Sequence, residues 1–318
     1  MYEIALSVVA CLRAGTTVDV AWVVEAEGVG AGDLAEALAI TPGGGRVGTV
    51  LGGSLNDQLA DLSTQGRTGR IHGLQVGDLD AQLAGLACGG AARCVLVPAT
   101  MLAADLWDRL RSREPVCVVT GLHGDRVVDT AVFGSETIAR AGEDAVRLFH
   151  RRVSGSSVAP DTVTTVFWPV PTLVIVGAGG VADALRSAAE LVGWRIEVVT
   201  DARAATGAIA ALGGPDKVVV VSHDLDLAGP ALQAALASDV GYLGALGSHR
   251  TQQLRAQWLA DRGVTDLDRV HGPAGLDIGA NTPPEIAVSI LAEALAVSSQ
   301  GAVRSLRAKN APIHQTVK

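Results

Sequence analysis

From Pro171 onward the apolar positions alternate between two periods. Leu173-Val174-Ile175-Val176 is a short continuous apolar run, as a parallel strand covered on both faces requires. Val181, Leu185, Ala188 and Val192 follow at spacings that mark one face of a helix. Gly193 stops that helix, and residues 195–201 give the next strand. Residues 217–221 and 242–245 supply two more strands, with helical segments between and after them. Strands alternating with helices predict a doubly wound parallel sheet. Thr282-Pro283-Pro284-Glu285 reads as a capping box with proline at the first helical position. Ile286, Ile290, Leu291 and Leu295 then form the expected buried stripe.

The first 150 residues are patterned less regularly. β-type runs occur at 18–24, 47–51, 93–98 and 115–120, and Ala- and Leu-rich helical segments at 32–39 and 78–86. Pro42-Gly43-Gly44-Gly45 signals a turn, and a helix over 136–147 closes the region. The expected fold class is α/β: a mixed α/β domain over 1–151 and a Rossmann-type domain over 171–300. Residues 152–170, which begin with a polar stretch containing Ser154-Gly155-Ser156-Ser157, read as a linker. Residues 301–318 read as a tail.

Composition narrows the picture. The chain has 318 residues, about twice a common domain, and 48% are apolar but only 3% aromatic, enough for two cores built from Ala, Val and Leu. The 38 glycines show no repeat and read as turns and close backbone approaches. A net charge of −8 argues against nucleic acid, which needs a basic face. No apolar run approaches the ~18 residues of a membrane span. Glu3 and no basic segment precedes the apolar stretch at 4–12, so no signal peptide is expected. Cys11, Cys88, Cys94 and Cys117 are too sparse for a disulfide scaffold, and a reducing cytoplasmic setting is expected.

The chemistry concentrates after the strand at 173–176. Gly177-Ala178-Gly179-Gly180-Val181-Ala182 fits the G-x-G-x-x-A fingerprint. Gly177 allows the strand-to-helix turn, Gly179 lets a pyrophosphate approach the backbone, and the small last residue lets helix and strand pack. The exposed amides at the helix start, around Gly180 and Val181, would then hold the anion. Asp201 ends the next strand, where an acid either accepts from a ribose or starts a turn. Arg203 is placed to meet a phosphate or to remain solvated. Gly247-Ser248-His249-Arg250 follows a strand, with Ser248 as N-cap and Arg250 in the first turn; it is a second anion site or simple capping. His223, in Ser222-His223-Asp224, is a ligand donor or a structural loop residue. No catalytic constellation stands out, and no metal set is defined.

The segment from Tyr242 through Gly247-Ser248-His249-Arg250-Thr251, then His271 to Ala280 and Thr282-Pro283-Pro284-Glu285-Ile286-Ala287, resembles the XdhC/CoxI family. The glycine loop and Asp201-Ala202-Arg203 fit the same pattern. The resemblance implies an accessory protein for molybdenum hydroxylases such as xanthine dehydrogenase and carbon monoxide dehydrogenase. Such a protein binds the molybdenum cofactor (molybdopterin), protects it during sulfuration and delivers it to the apoenzyme as a homodimer. Residues 45–55 look like a degraded form of the family's Gly-Gly-Cys element, with Ser54 in place of the cysteine, and Cys88-Gly89-Gly90 looks like its Cys-Gly-Gly element. Gly180 stands where the family often has histidine. The family's Ser-x-Pro-Arg and Pro-Gly-Ala-x-Met region is not evident; Thr41 to Gly45 occupies a shortened version of it. Cys88 is read as a soft thiolate ligand or as a buried inert cysteine. Cys11, Cys94 and Cys117 are expected in the core. Two other functions fit: an NAD(P)-dependent oxidoreductase, and a degenerate non-binding paralogue with a structural or regulatory role.

Overall fold

The computed structural model describes residues 1–29, 35–66, 68–299, 303–305 and 307, so the expected tail over 301–318 lies almost wholly outside the described residues. The chain divides into two compact units, one over Met1–Pro169 and one beginning at Val170.

The first unit runs α1 (Ala5–Arg13), β1 (Asp19–Glu27), β2 (Leu38–Ile40), β3 (Arg46–Gly48), α2 (Asn56–Thr64), β4 (Arg70–Val76), α3 (Asp78–Leu83), β5 (Gly90–Pro98), α4 (Ala104–Arg111), β6 (Val116–His123), β7 (Arg126–Phe133), α5 (Glu143–His150), β8 (Gly155–Ala159) and β9 (Thr162–Phe167). Its nine strands form one antiparallel sheet in the order β3-β2-β1-β5-β4-β7-β6-β9-β8. The sheet curls strongly. Trp22 on β1 donates to Thr165 Oγ1 on β9 at 3.2 Å and meets Phe167 edge-on, although those strands lie far apart in the order. The curled face encloses Trp22, Val95, Val97, Val118 and Phe167 under α1 and α4. The other face packs Val23, Cys94 and Leu96 against α2 and α3 through Leu55, Leu59 and Ala81.

Three expectations for this unit are corrected. The linker over 152–170 is the β8–β9 hairpin. Thr162-Val163-Thr164-Thr165-Val166-Phe167 pairs along β6, and Val163, Val166 and Phe167 are buried, so β-branched packing outweighs the polar sequence before it. The helical segment at 32–39 falls partly outside the described residues, and its end, Leu38–Ile40, is a strand hydrogen-bonded to β1. The helix over 136–147 is a 3-10 turn at Ile138–Arg140 followed by α5, separated by Gly142 at φ 95°. The glycine-rich turn closes the β2–β3 hairpin, with Gly44 N donating to Thr41 O at 2.9 Å.

The second unit runs β10 (Thr172–Val176), α6 (Gly180–Leu191), β11 (Arg195–Val199), α7 (Ala202–Ala210), β12 (Lys217–Val220), α8 (Leu225–Leu236), β13 (Tyr242–Ala245), α9 (His249–Ala260), β14 (Val270–His271) and α10 (Pro283–Ser299). Its five strands are parallel, in the order β11-β10-β12-β13-β14. Val174 and Val176 face α7 and α8, whereas Leu173 and Ile175 face α6 and α10. This is the doubly wound sheet that the alternating pattern predicts.

The helix faces are rotated from the expected ones. α6 buries Ala182, Leu185 and Ala189, while Val192 is 41% exposed. α10 buries Ala287, Ile290 and Ala294, while Leu295 is 44% exposed. Small alanines on both contact faces let the two helices pack directly on each other. Among the described residues no helix is long and apolar enough to cross a membrane.

Candidate functional site

The carboxyl ends of the parallel strands gather the loops that carry the expected site. Gly177 leaves β10 at φ 119°, and its amide donates to Val199 O at 2.8 Å. A Cβ there would lie 2.8 Å from Ser222 N and 2.9 Å from Val221 Cγ2, so glycine is required by the segment just after β12 as well as by the turn. Gly179 has φ 109° and is the N-cap of α6. A Cβ on it would meet nothing within 4 Å. No side chain caps α6, so the first amides at the positive end of a twelve-residue helix have no side-chain acceptor. Gly180 is exposed, and a Cβ there would make ordinary contact with Pro283 at 3.5 Å. Val181 is half-buried, and Ala182 packs against the sheet, as the last position of the fingerprint requires.

Asp201 caps α7, its Oδ1 accepting from Ala204 N at 2.8 Å. The capping reading therefore holds, and it engages one carboxylate oxygen. Arg203 is exposed in the first turn of α7, with no ion pair among the described residues. His223 is exposed between β12 and α8, beside Asp224, which caps α8 by accepting from Asp226 N at 3.0 Å. Gly247 has φ 126°, and a Cβ there would press on Thr251 at 2.9 Å. Ser248 caps α9, accepting from Thr251 N at 3.3 Å, and Arg250 is exposed beside it. The topology thus brings Gly177 to Val181, Asp201, Arg203, His223, Gly247, Ser248 and Arg250 to one edge of one sheet. Of the helix starts after β10, β11, β12 and β13, only that of α6 lacks a side-chain cap.

Sequence reasoning missed Arg255 at this edge. It is 2% exposed, and its Nη2 donates to Ser222 O at 2.7 Å, just after β12. Its Nη1 donates to Leu246 O at 2.5 Å, just after β13. Burial lowers its pKa. The available signal was its register: Thr251, Arg255 and Leu259 are spaced as one face of α9, and Leu259 is core.

Below the edge, Tyr242 donates to Glu293 Oε2 at 2.6 Å, Gly275 N donates to the same oxygen at 2.8 Å, and His271 Nδ1 lies 3.4 Å from Oε1. This cluster ties the segment from His271 to Gly275 onto α10. Burial and then the Glu293 contact push the Tyr242 phenol up.

In the first unit, Cys88 is exposed, and its thiol donates to Gly28 O at 2.9 Å. Cys88 is therefore not buried, contrary to the reading of it as a buried inert cysteine. Ser54 donates to Leu51 O at 2.9 Å and ends a 3-10 turn. The two glycine elements flank one short helix. A Cβ on Gly52 would meet Ala84 O at 2.5 Å at the end of α3, and Gly89 N donates to Asp78 Oδ1 at 3.1 Å at its start. Cys94 and Cys117 are core, their thiols pushed up to about 12 by burial. Cys11 is half-buried instead of fully internal. Among the described residues no group of three or more His, Cys, Asp or Glu is placed to hold a metal ion.

Residues 173–294 match the family model of the XdhC Rossmann domain. The uncharacterized protein YqeB of Escherichia coli is 32% identical over 212 residues, covering 57% of this chain and 39% of that protein. The molybdenum cofactor insertion chaperone PaoD of Escherichia coli is 34% identical over 133 residues, covering 41% of each. The chain therefore spans about two-fifths of the length of these relatives. A solved structure of a xanthine dehydrogenase from Bacillus halodurans is 19% identical and covers 97% of this chain and 98% of its own, with a TM-score of 0.44.

Proposed function

We propose, because residues 173–294 match the XdhC Rossmann domain model, that this chain is an accessory protein that binds the molybdenum cofactor and delivers it to the apoenzyme of a molybdenum hydroxylase. The observation that carries this reading is the uncapped start of α6 above Gly179, at the edge where ligands of open parallel sheets bind. The named activity of PaoD supports the choice of cargo.

The residues present fit such a cargo. The amides at Gly180 and Val181 would take the pterin phosphate, and Gly179 leaves the backbone accessible to it. Ser248 and Arg250 would bound the phosphate on the next loops, with His223 between. Where the pterin carries a nucleotide, the second oxygen of Asp201 would accept from its ribose, with Arg203 at its outer side. The bound cofactor supplies the molybdenum centre that serves the client enzyme; the chain itself binds, orients and shields it. Within the first unit, Cys88, exposed and next to Gly89 and Gly90, is a thiol available as a soft ligand. Ser54 cannot replace a thiolate, and its hydroxyl is committed to Leu51 O. The reading includes a cytoplasmic homodimer.

An NAD(P)-dependent oxidoreductase would share the glycine loop and Asp201, but Tyr242 is buried against Glu293 and not presented at the edge. Mass spectrometry of small molecules released from the native protein decides between them. A molybdopterin species is the expected result; a nicotinamide dinucleotide in its place would overturn the proposal.

A further inference from the structure

Arg255 presents an electrostatic problem that the fold does not solve. Its guanidinium is held by acceptors that carry no charge: Ser222 O at 2.7 Å, Leu246 O at 2.5 Å and Gln252 Oε1 at 3.2 Å. Its Nε is buried and finds no acceptor among the described residues. Burial lowers its pKa, and no acid pairs with it among the described residues. Arginine does not shed its proton in proteins, so the charge stays. A buried cation without a counter-ion is expensive, and carbonyl dipoles compensate it only in part.

The position of that charge is informative. The two carbonyls that it grips lie in the loops just after β12 and β13, at the carboxyl edge of the sheet. Ser222 is also the residue whose amide lies where a side chain on Gly177 would go. Gln252, bonded to Arg255, donates to Ala245 O at 2.9 Å and Gly247 O at 3.3 Å, fixing the glycine turn before α9. The guanidinium thus holds the loops after β12 and β13, and the first of these lies against Gly177 in the loop before α6. In a low-dielectric interior its field reaches the edge with little screening.

We propose that Arg255 is a positioning residue of the ligand edge that pins the loops after β12 and β13 and supplies the fixed positive charge by which the edge selects a multiply charged phosphate group. The counter-ion that the fold omits is the ligand: a pyrophosphate or dianionic phosphate ester, favoured over a ligand of lower charge. The inference rests on the proposed reading of the edge as an anion site and names the charge class that the site takes.

The test uses the full chain with inorganic pyrophosphate and inorganic phosphate as probes, titrated calorimetrically at fixed pH and ionic strength. Gly180→Asp places a carboxylate at the start of α6 and is the control for the site itself. For Arg255→Met, the preference for pyrophosphate over phosphate is expected to fall at least about threefold, because the lost charge weighs more on the more charged probe. A purely structural pin would weaken both probes in equal proportion. Arg255→Lys retains the charge without the two-carbonyl grip, so its preference should stay within about twofold of the parent. It serves as the deciding variant if Arg255→Met does not fold, and a collapsed preference in it would then overturn the inference. Binding lost in Gly180→Asp together with an unchanged preference in Arg255→Met would overturn the role of Arg255 and leave the anion site standing. A parent protein that binds neither probe would overturn both.

Discussion

The backbone amide of Ser222 occupies the space that a side chain on Gly177 would need, 2.8 Å from where its Cβ would stand. The first glycine of the loop is thus fixed by the segment just after β12, which is far away in sequence, as well as by its own φ of 119°. Gly177→Ala must both strain the backbone and displace Val221 and Ser222. The expected cost is about 2–4 kcal/mol, summing strain and overpacking. Chemical denaturation measures it directly, and a loss below about 0.5 kcal/mol would show that the turn is not constrained in this way.

Asp201 separates capping from ligand contact. Asp201→Ala removes the acceptor of Ala204 N and should cost about 1 kcal/mol. Asp201→Asn retains an equally good cap and should recover that stability. If the free oxygen also serves a ribose, both variants weaken a ribonucleotide-bearing ligand more than the same pterin phosphate without nucleotide. Equal affinity for both ligands in both variants would reduce Asp201 to a cap.

The second unit was legible because each of its signals is local. Leu173-Val174-Ile175-Val176, the glycine loop and Asp201 lie within one strand-helix-strand unit, whose order is also its order in space. The first unit was hard to read because β1 is held by β5 and β9, which come much later in the chain. No local period reports such pairing, and the serines and glycines of β8 hid a hairpin. The face of α6 was misplaced because alanine, which makes the contact with α10, is a weak hydrophobic marker. Arg255 was missed because its residue type suggests solvent; only its register with Leu259 pointed inward.

Cysteine reactivity should divide by environment. Cys88 is exposed and should alkylate first at pH 8, with Cys11 slower. Cys94 and Cys117 should stay unlabelled in the native state, since their thiols are buried and pushed up to about 12. Peptide mass spectrometry after timed labelling reads this order. Labelling of Cys94 or Cys117 as fast as Cys88 would contradict the packing of the first unit.

The same shifts set an alkaline limit on stability. Below about pH 8.5 the two buried thiols are protonated in both folded and unfolded chains, and stability is at its full value. Between there and about 12 the unfolded chain releases protons that the folded chain keeps, so stability falls as pH rises. Each thiol contributes a slope approaching about 1.4 kcal/mol per pH unit. The raised Tyr242 phenol adds to the fall above about pH 10. Tyr242→Phe should cost about 1 kcal/mol at neutral pH through the lost bond to Glu293, and should flatten the upper part of the curve. Thermal midpoints measured from pH 7 to 10.5 check the sign, and a rise across that range would refute it.

The central claim is that the open amide cradle at the start of α6 holds the phosphate of a pterin. Gly180→Asp tests it with the fold preserved. The new Cβ makes only ordinary contact with Pro283, and a carboxylate at a helix start stabilises the helix by about 0.3–1 kcal/mol. Parent and variant are purified from a host that makes molybdenum cofactor, oxidised, and assayed for pterin fluorescence per mole of protein. The account predicts bound pterin on the parent and its loss from an equally stable variant. Equal pterin on both proteins, or none on the parent, would contradict it.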